Sequence, residues 1–138
     1  PGLDACNVDS ARVHHVTWGD ISVEYDDVIP PPLIQKNDNE TYSIHITDYN
    51  PPLCMATVEF HHEYSTGGVR RGVNDHLVFE NIRLFSNKKP VFVFRGYDEK
   101  HATRDVVLKN IIWNGRNICE SGEYDLSTNE FCKNVIVE

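Results

Sequence analysis

The chain lacks any apolar run of about 18 residues, the length that a membrane-spanning helix requires. It also has few clustered basic residues: Arg70 and Arg71 are the only adjacent arginines, Lys88 and Lys89 the only adjacent lysines, and the formal net charge is −8. A surface that binds phosphate groups needs clustered Lys and Arg. Composition therefore excludes nucleic acid and membrane as main partners.

Cysteine is scarce, with four residues, Cys6, Cys54, Cys119 and Cys132, and no C-x-x-C spacing. This excludes a zinc ribbon and a thioredoxin-like redox motif. The four cysteines could form two disulfides or remain as buried thiols. Thiols are favoured because the chain is not a small scaffold with a high density of cysteine. We predict no metal and no cofactor.

The chain of 138 residues contains a repeat. Residues 16–23, 77–84 and 106–113 align without gaps, and residues 135–138 begin the same pattern. Their first residues lie 61, 29 and 29 positions apart, so the longer spacing is close to two periods. The shared pattern is apolar-x-apolar-x-(Asn/Asp)-Ile-x-apolar, which describes two half-buried strands that meet at a polar corner.

A fixed period near 29 residues is typical of a β-solenoid, in which neighbouring coils cover one another's apolar faces. Stacking would align Asp20, Asn81 and Asn110 at one corner, because Asn tolerates a left-handed bend. Residues 32–35 and 90–94 are predicted as a third strand of each coil. The fold prediction is therefore an all-β parallel β-helix; an antiparallel sandwich is the alternative.

We predict a single domain that spans residues 1–138. Residues 41–72 are predicted to form a loop excursion from the coils. Insertions in solenoids often form the binding face. The sequence opens at Pro1 without a Met, a basic n-region or an apolar h-region. We therefore expect either a removed signal or the C-terminal part of a longer polypeptide, whose N-terminal remainder would be a partner. Localisation stays open, with secreted or periplasmic favoured.

Residues 94–101, with their Gly96-Tyr97-Asp98-Glu99 turn and His101, are followed by a strand and Asn114-Gly115. These residues and residues 12–23 and 73–86 resemble the C-terminal coils of polygalacturonase-like proteins, glycoside hydrolase family 28 and its relatives. The resemblance implies a right-handed parallel β-helix and a glycoside hydrolase that acts on pectin or a related polysaccharide through paired carboxylates. The catalytic signatures of that family (Asn-Thr-Asp, a paired Asp-Asp behind Gly or Gln, Gly-His-Gly and Arg-Ile-Lys) are missing from this sequence. We therefore expect the catalytic carboxylates upstream, and this chain alone to be inactive.

Two groups of acidic residues are candidates within the chain. Glu59 and Glu63 alternate with His61, so a strand would place the three on one face, as a paired-carboxylate or metal-binding set or as a solvated strand face. Asp26 and Asp27 are adjacent, and they fit either a sugar cleft or a turn. The candidate catalytic residues are Asp26, Asp27, Glu59 and Glu63.

Candidate substrate-binding residues combine charge and aromatic area. An arginine can bind a uronate carboxylate through two parallel hydrogen bonds, and an indole can stack on a sugar ring. The candidates are His61, Arg70, Arg71, Arg95 and Trp113. For Arg95 a structural turn is the favoured alternative. Two further functions remain open: a non-catalytic carbohydrate-binding module, and a structural assembly domain.

Overall fold

The computed structural model describes residues 2–7, 10–25, 33–36, 42–45, 50–58 and 71–138. This part of the chain forms twelve β-strands and no α-helix, so the all-β prediction is confirmed. The strands of the first half are β1 (Leu3–Asn7), β2 (Arg12–Gly19), β3 (Ser22–Glu24), β4 (Leu33–Lys36), β5 (Tyr42–His45) and β6 (Cys54–Val58). Those of the second half are β7 (Val73–Phe85), β8 (Val91–Arg95), β9 (Thr103–Trp113), β10 (Arg116–Asn117), β11 (Asp125–Thr128) and β12 (Cys132–Val137).

The strands are divided between two large sheets and one hairpin. The four-strand sheet has the order β1-β6-β8-β11, and all of its pairs are parallel. In the six-strand sheet, β2, β7, β9 and β12 are parallel neighbours, β3 pairs with β7, and β10 returns antiparallel to β9. Strands β4 and β5 form a separate antiparallel pair.

The prediction of a right-handed parallel β-helix is wrong. The strands form two separate sheets around one core, a sandwich-like arrangement, and no solenoid is found in the described residues. The predicted third strand of the first coil does not stack on β8: Leu33–Lys36 pairs with β5, and β8 lies between β6 and β11. A sequence period determines which residues pair across strands, but the path of the chain between the layers depends on connections that the period does not encode.

The alignment that revealed the repeat is confirmed by the strand register. Val16 pairs with Leu77, Leu77 with Val106, and Val106 with Val135. Inward positions of these strands supply Phe79, Ile82 and Leu108 to the core, each fully buried, while Trp18 stacks on Phe79 at 4.5 Å between ring centroids. Alternate apolar residues therefore cover one face of each strand, as the pattern predicts.

Part of the predicted excursion at residues 41–72 belongs to the layers. Strand β6 lies between β1 and β8 and buries Cys54 and Ala56 in the core. Residues 46–49 and 59–70 lie outside the described residues. No helix among the described residues is long and apolar enough to cross a membrane.

Candidate functional site

A column of four residues in the left-handed conformation runs across the six-strand sheet. His15, His76, Asp105 and Asn134 have φ angles of 54°, 53°, 55° and 54°, and each directly precedes the first apolar residue of its repeat. The register places one of them on each of β2, β7, β9 and β12. Since parallel strands lie about 4.8 Å apart, their side chains form a continuous row.

The side chains of this column contact one another along its length. The His15 and His76 rings stack at 4.6 Å between centroids with 4° between their planes. His76 Nε2 lies 4.0 Å from Asp105 Oδ2, and Asn134 Nδ2 donates a 2.9 Å hydrogen bond to Asp105 Oδ1. Two imidazoles, a carboxylate and an amide thus follow each other in order.

The column borders a groove of about 780 Å³ on the outer side of the six-strand sheet. The other residues that line it are Thr17, Val78, Val107 and Ile136, and Val135, which also packs against the core. Ile136 is 51% exposed. A groove of this volume with an apolar floor and a few polar groups is typical of a ligand site.

Beside the groove, Asp75 is a fully buried carboxylate. Its Oδ2 accepts hydrogen bonds from Arg12 Nη2 at 2.7 Å, Arg12 Nε at 3.2 Å and Arg104 Nη2 at 3.3 Å. Burial acts to raise the pKa of Asp75, but the hydrogen bonds from Arg12 and Arg104 outweigh it and lower the pKa below the usual value. Asp75 is therefore held in its ionised form.

The other oxygen of Asp75 has a different environment. Oδ1 is buried and accepts no hydrogen bond from the described residues; His76 Nδ1 lies 3.5 Å away. The Nδ1 atoms of His14 and His15 are 2.9 Å apart, with the rings edge to face at 85°. One ligand atom from each of His14, His15 and Asp75 lies within 4.8 Å of the others.

Most of the predicted site residues lie outside the described residues. These are the candidate catalytic Asp26, Asp27, Glu59 and Glu63 and the candidate binding residues His61 and Arg70. The paired-carboxylate site therefore stays a prediction.

The three described candidates lie apart from the groove lining. Arg71 places its guanidinium carbon 4.6 Å from the ring centroid of Tyr97. Arg95 Nη2 donates to Ser127 Oγ at 3.0 Å. Trp113 packs against the core, and its indole N–H donates to the Ser86 carbonyl at 2.8 Å. The indole N–H therefore has a structural contact, and the role of Trp113 in sugar stacking stays a prediction.

Sequence reasoning missed the column, although its signal was present. His15, His76, Asp105 and Asn134 have the same 61, 29 and 29 spacing as the repeat, one position before its first residue. The shared pattern begins at the apolar residue, so it does not include the polar position before it. Comparison with family models, with curated proteins and with solved structures finds no match to this chain.

Proposed function

We propose that this chain is the glycan-binding part of a carbohydrate-active protein, and that a polysaccharide lies in the groove along the six-strand sheet. The observation that carries the proposal is the repetition of polar groups, one per strand, beside an apolar floor. A polymer of similar units can meet a similar contact at each strand.

The groove offers both kinds of contact that a sugar ring needs. Val78, Val107 and Ile136 provide apolar surface for the C–H faces of a pyranose. Asp105 and Asn134 provide an acceptor-only carboxylate and an amide with both donor and acceptor groups for hydroxyls. Such a mixture favours a neutral or weakly charged polyol over a purely apolar ligand.

Pectin-type polysaccharides are the first class to test. The resemblance of residues 94–115 to polygalacturonase-like proteins supports a uronate polymer, but the net charge of −8 opposes a polyanion. Arg12 and Arg104 offset this locally, because their side chains stay 56% and 49% exposed while they bind Asp75. A partly esterified or neutral pectic glycan fits both facts.

Binding is favoured over cleavage for the described residues. Inverting hydrolysis needs two carboxyl groups about 6.5–9.5 Å apart, and retaining hydrolysis needs two about 5–5.5 Å apart. Asp105 is the one carboxylate among the described residues that line the groove. Hydrolysis would therefore depend on the predicted carboxylates elsewhere in the chain or upstream of it, and we expect this chain alone to bind without cleaving.

The test is calorimetric titration with oligogalacturonides, methyl-esterified oligogalacturonides and neutral xylo-oligosaccharides. Asn134→Gly removes the amide but accepts the left-handed backbone, and Val107→Ser removes apolar floor. Each should weaken binding about tenfold, equivalent to about 1.4 kcal/mol. The matched control is Asn117→Gly, an exposed asparagine on β10 outside the groove.

Thermal unfolding of each variant shows whether the fold is retained. Absence of binding to all three glycan classes would refute the proposal, and so would equal weakening by Asn117→Gly and Asn134→Gly. Release of reducing ends by the chain alone would replace the binding module with an enzyme.

A further inference from the structure

We infer that His14, His15 and Asp75 bind a divalent first-row transition cation that takes imidazole ligands in square-planar or tetragonal geometry, such as Cu²⁺ or Ni²⁺. The site adjoins the proposed glycan groove: His15 lines that groove, whereas His14 and Asp75 do not. Two adjacent strands build the site: β2 supplies both imidazoles and β7 the carboxylate, and His14 pairs with Asp75 in the register.

The buried Oδ1 of Asp75 is the first argument. Oδ1 makes no hydrogen bond with the described residues, and its one side-chain contact is His76 Nδ1 at 3.5 Å, which is poor compensation for the hydration lost on burial. Both guanidinium groups bind Oδ2, so Oδ1 has no guanidinium partner, and one carboxylate oxygen of Asp75 lies within 4.8 Å of a ring nitrogen of each of His14 and His15. A cation at this position would give Oδ1 the short contact that the described residues do not provide.

The second argument is the arrangement of the imidazoles. Adjacent strand residues normally point to opposite faces, but the left-handed φ of His15 brings its ring beside that of His14. In the square-planar or tetragonal geometry of Cu²⁺ and Ni²⁺, two metal–nitrogen bonds of about 2.0–2.1 Å at a right angle put the nitrogens about 2.9 Å apart, closer than the roughly 3.4 Å of a tetrahedral zinc site. The Nδ1 atoms of His14 and His15 have this separation.

The carboxylate lies within reach of the same cation. Nitrogen and oxygen ligands on opposite sides of a square-planar or tetragonal ion such as Cu²⁺ are about 4.3 Å apart at most, and the three ligand atoms lie within 4.8 Å of one another. Closing the set requires a movement of roughly half an ångström at most. Imidazole and carboxylate together favour Zn²⁺, Cu²⁺ and Ni²⁺ over Ca²⁺ and Mg²⁺, which prefer oxygen ligands.

Neighbouring groups hold the ligands in place. Arg12 and Arg104 orient the Asp75 carboxylate, and His76 stacks on the His15 ring. Residues around a metal site that orient its ligands are part of its affinity. The simpler alternative is a hydrogen bond between His14 and His15, which explains their separation but leaves Asp75 Oδ1 without a hydrogen bond from the described residues.

Calorimetric titration of the metal-free chain with Zn²⁺ and Cu²⁺, beside Mg²⁺ and Ca²⁺, tests the inference. The experiment uses a Cys6→Ser/Cys119→Ser background, because exposed thiols bind the same metals. His14→Gln changes an exposed side chain, and His15→Asn keeps a residue that tolerates positive φ. Each should weaken Cu²⁺ binding about a hundredfold or more, since even outer residues of metal sites contribute about 10–100-fold.

Two controls locate the site. His101→Gln changes a histidine bound to Asp98 and should leave the affinity unchanged. His61→Gln tests the alternating Glu59, His61 and Glu63 set and should also have no effect. The electron paramagnetic resonance spectrum of the Cu²⁺ form should show coupling to two imidazole nitrogens, reduced to one in His14→Gln. Loss of binding in His61→Gln but not in His14→Gln would overturn the inference, and so would the absence of Zn²⁺ and Cu²⁺ binding.

Discussion

The side-chain amide of Asn110 donates a 2.9 Å hydrogen bond to the side-chain oxygen of Asn81. Asn81 in turn donates to Asp20 at 3.1 Å. The three residues have φ angles of 52°, 54° and 58° and lie on β9 and β7 and just after β2. Each residue therefore makes the left-handed bend of its own strand and ties that strand to its neighbour.

Asn81 lies at the middle of this row of hydrogen-bonded side chains. We expect Asn81→Ala to lower the free energy of unfolding of the protein more than Asn81→Gly does. Asn81→Ala removes two hydrogen bonds, each worth about 0.5–1.5 kcal/mol net, and places alanine in a left-handed conformation that costs about 1–2 kcal/mol. Asn81→Gly removes the same bonds without the steric cost. We expect losses of about 3 and about 2 kcal/mol in urea unfolding. Equal losses in the two variants would mean that the left-handed conformation of residue 81 makes no contribution to the cost of the alanine substitution.

Gly96 is enclosed by the segment that follows β11. The Asn129 side chain accepts from the Gly96 N–H at 3.1 Å and donates to its carbonyl at 2.7 Å. A Cβ atom on Gly96 would lie 2.3 Å from the Phe131 carbonyl oxygen, a backbone atom. The Gly96 turn therefore locks residues 127–133 onto the sheet, which supports the structural interpretation of residues 95–101.

Gly96→Ala should destabilise the protein by about 3 kcal/mol, because overpacking against backbone costs about 1–3 kcal/mol or more. Gly115→Ala is the matched control: its φ is +85°, but no atom lies within 4 Å of the added Cβ. Its cost should be only the conformational part, about 1 kcal/mol. Urea unfolding of both variants measures the difference. A smaller loss for Gly96→Ala than for Gly115→Ala would contradict the enclosed turn.

The sequence predicted local structure and pairing better than architecture. The repeat identified Asp20, Asn81 and Asn110 as a corner because polarity and left-handed tolerance are properties of single residues. It aligned Val16, Leu77 and Val106 because pairing follows apolar periodicity. Architecture depends on the connections between layers, and residues 33–36 show the difference: a proline-marked apolar run is compatible with a stacked strand or with the antiparallel hairpin that it forms.

The candidate site was harder to predict for a related reason. Asp75 reads in sequence as one polar residue in a strand, and only the register brings Arg12 and Arg104 to its carboxylate from two neighbouring strands. The His14 and His15 rings converge because His15 is left-handed, whereas ordinary strand geometry separates them. Apolar periodicity can be recognised within a short stretch of sequence. A side-chain contact between strands that are far apart in the sequence cannot, because it depends on the strand register.

Cys54, Cys119 and Cys132 are thiols in three different environments. Burial raises the pKa of Cys54 far above its usual range and that of Cys132 to about 11, whereas Cys119 is exposed. Since the thiolate is the nucleophile, iodoacetamide at pH 8 should label Cys119 in the native protein and Cys54 only after denaturation. Peptide mass spectrometry with and without urea measures this. Native labelling of Cys54 at the rate of Cys119 would contradict its burial in the core.

Asp98 provides the pH prediction. Its Oδ1 accepts hydrogen bonds from His101 Nδ1 and from the His101 and Lys100 backbone N–H groups, each at 2.8 Å. The His101 side-chain bond is the largest contribution, and together these bonds lower the pKa of Asp98 below its usual value. A lowered folded-state pKa means that the ionised carboxylate stabilises the turn above the unfolded-state pKa of about 3.9, and that this stability is lost as the pH falls through the folded-state value.

His101→Ala should therefore raise the pKa of Asp98 towards the ordinary value, as measured by ¹³C NMR titration of the side-chain carboxyl. The variant should be less stable than the wild-type chain at pH 7, and the gap should narrow at pH values below the folded-state pKa of Asp98, where the carboxyl is protonated in both proteins. His14→Ala changes a histidine outside this turn and should leave the titration of Asp98 unchanged. A stability gap that stays constant from pH 7 into this acidic range would show that His101 acts through packing and not through the Asp98 carboxylate.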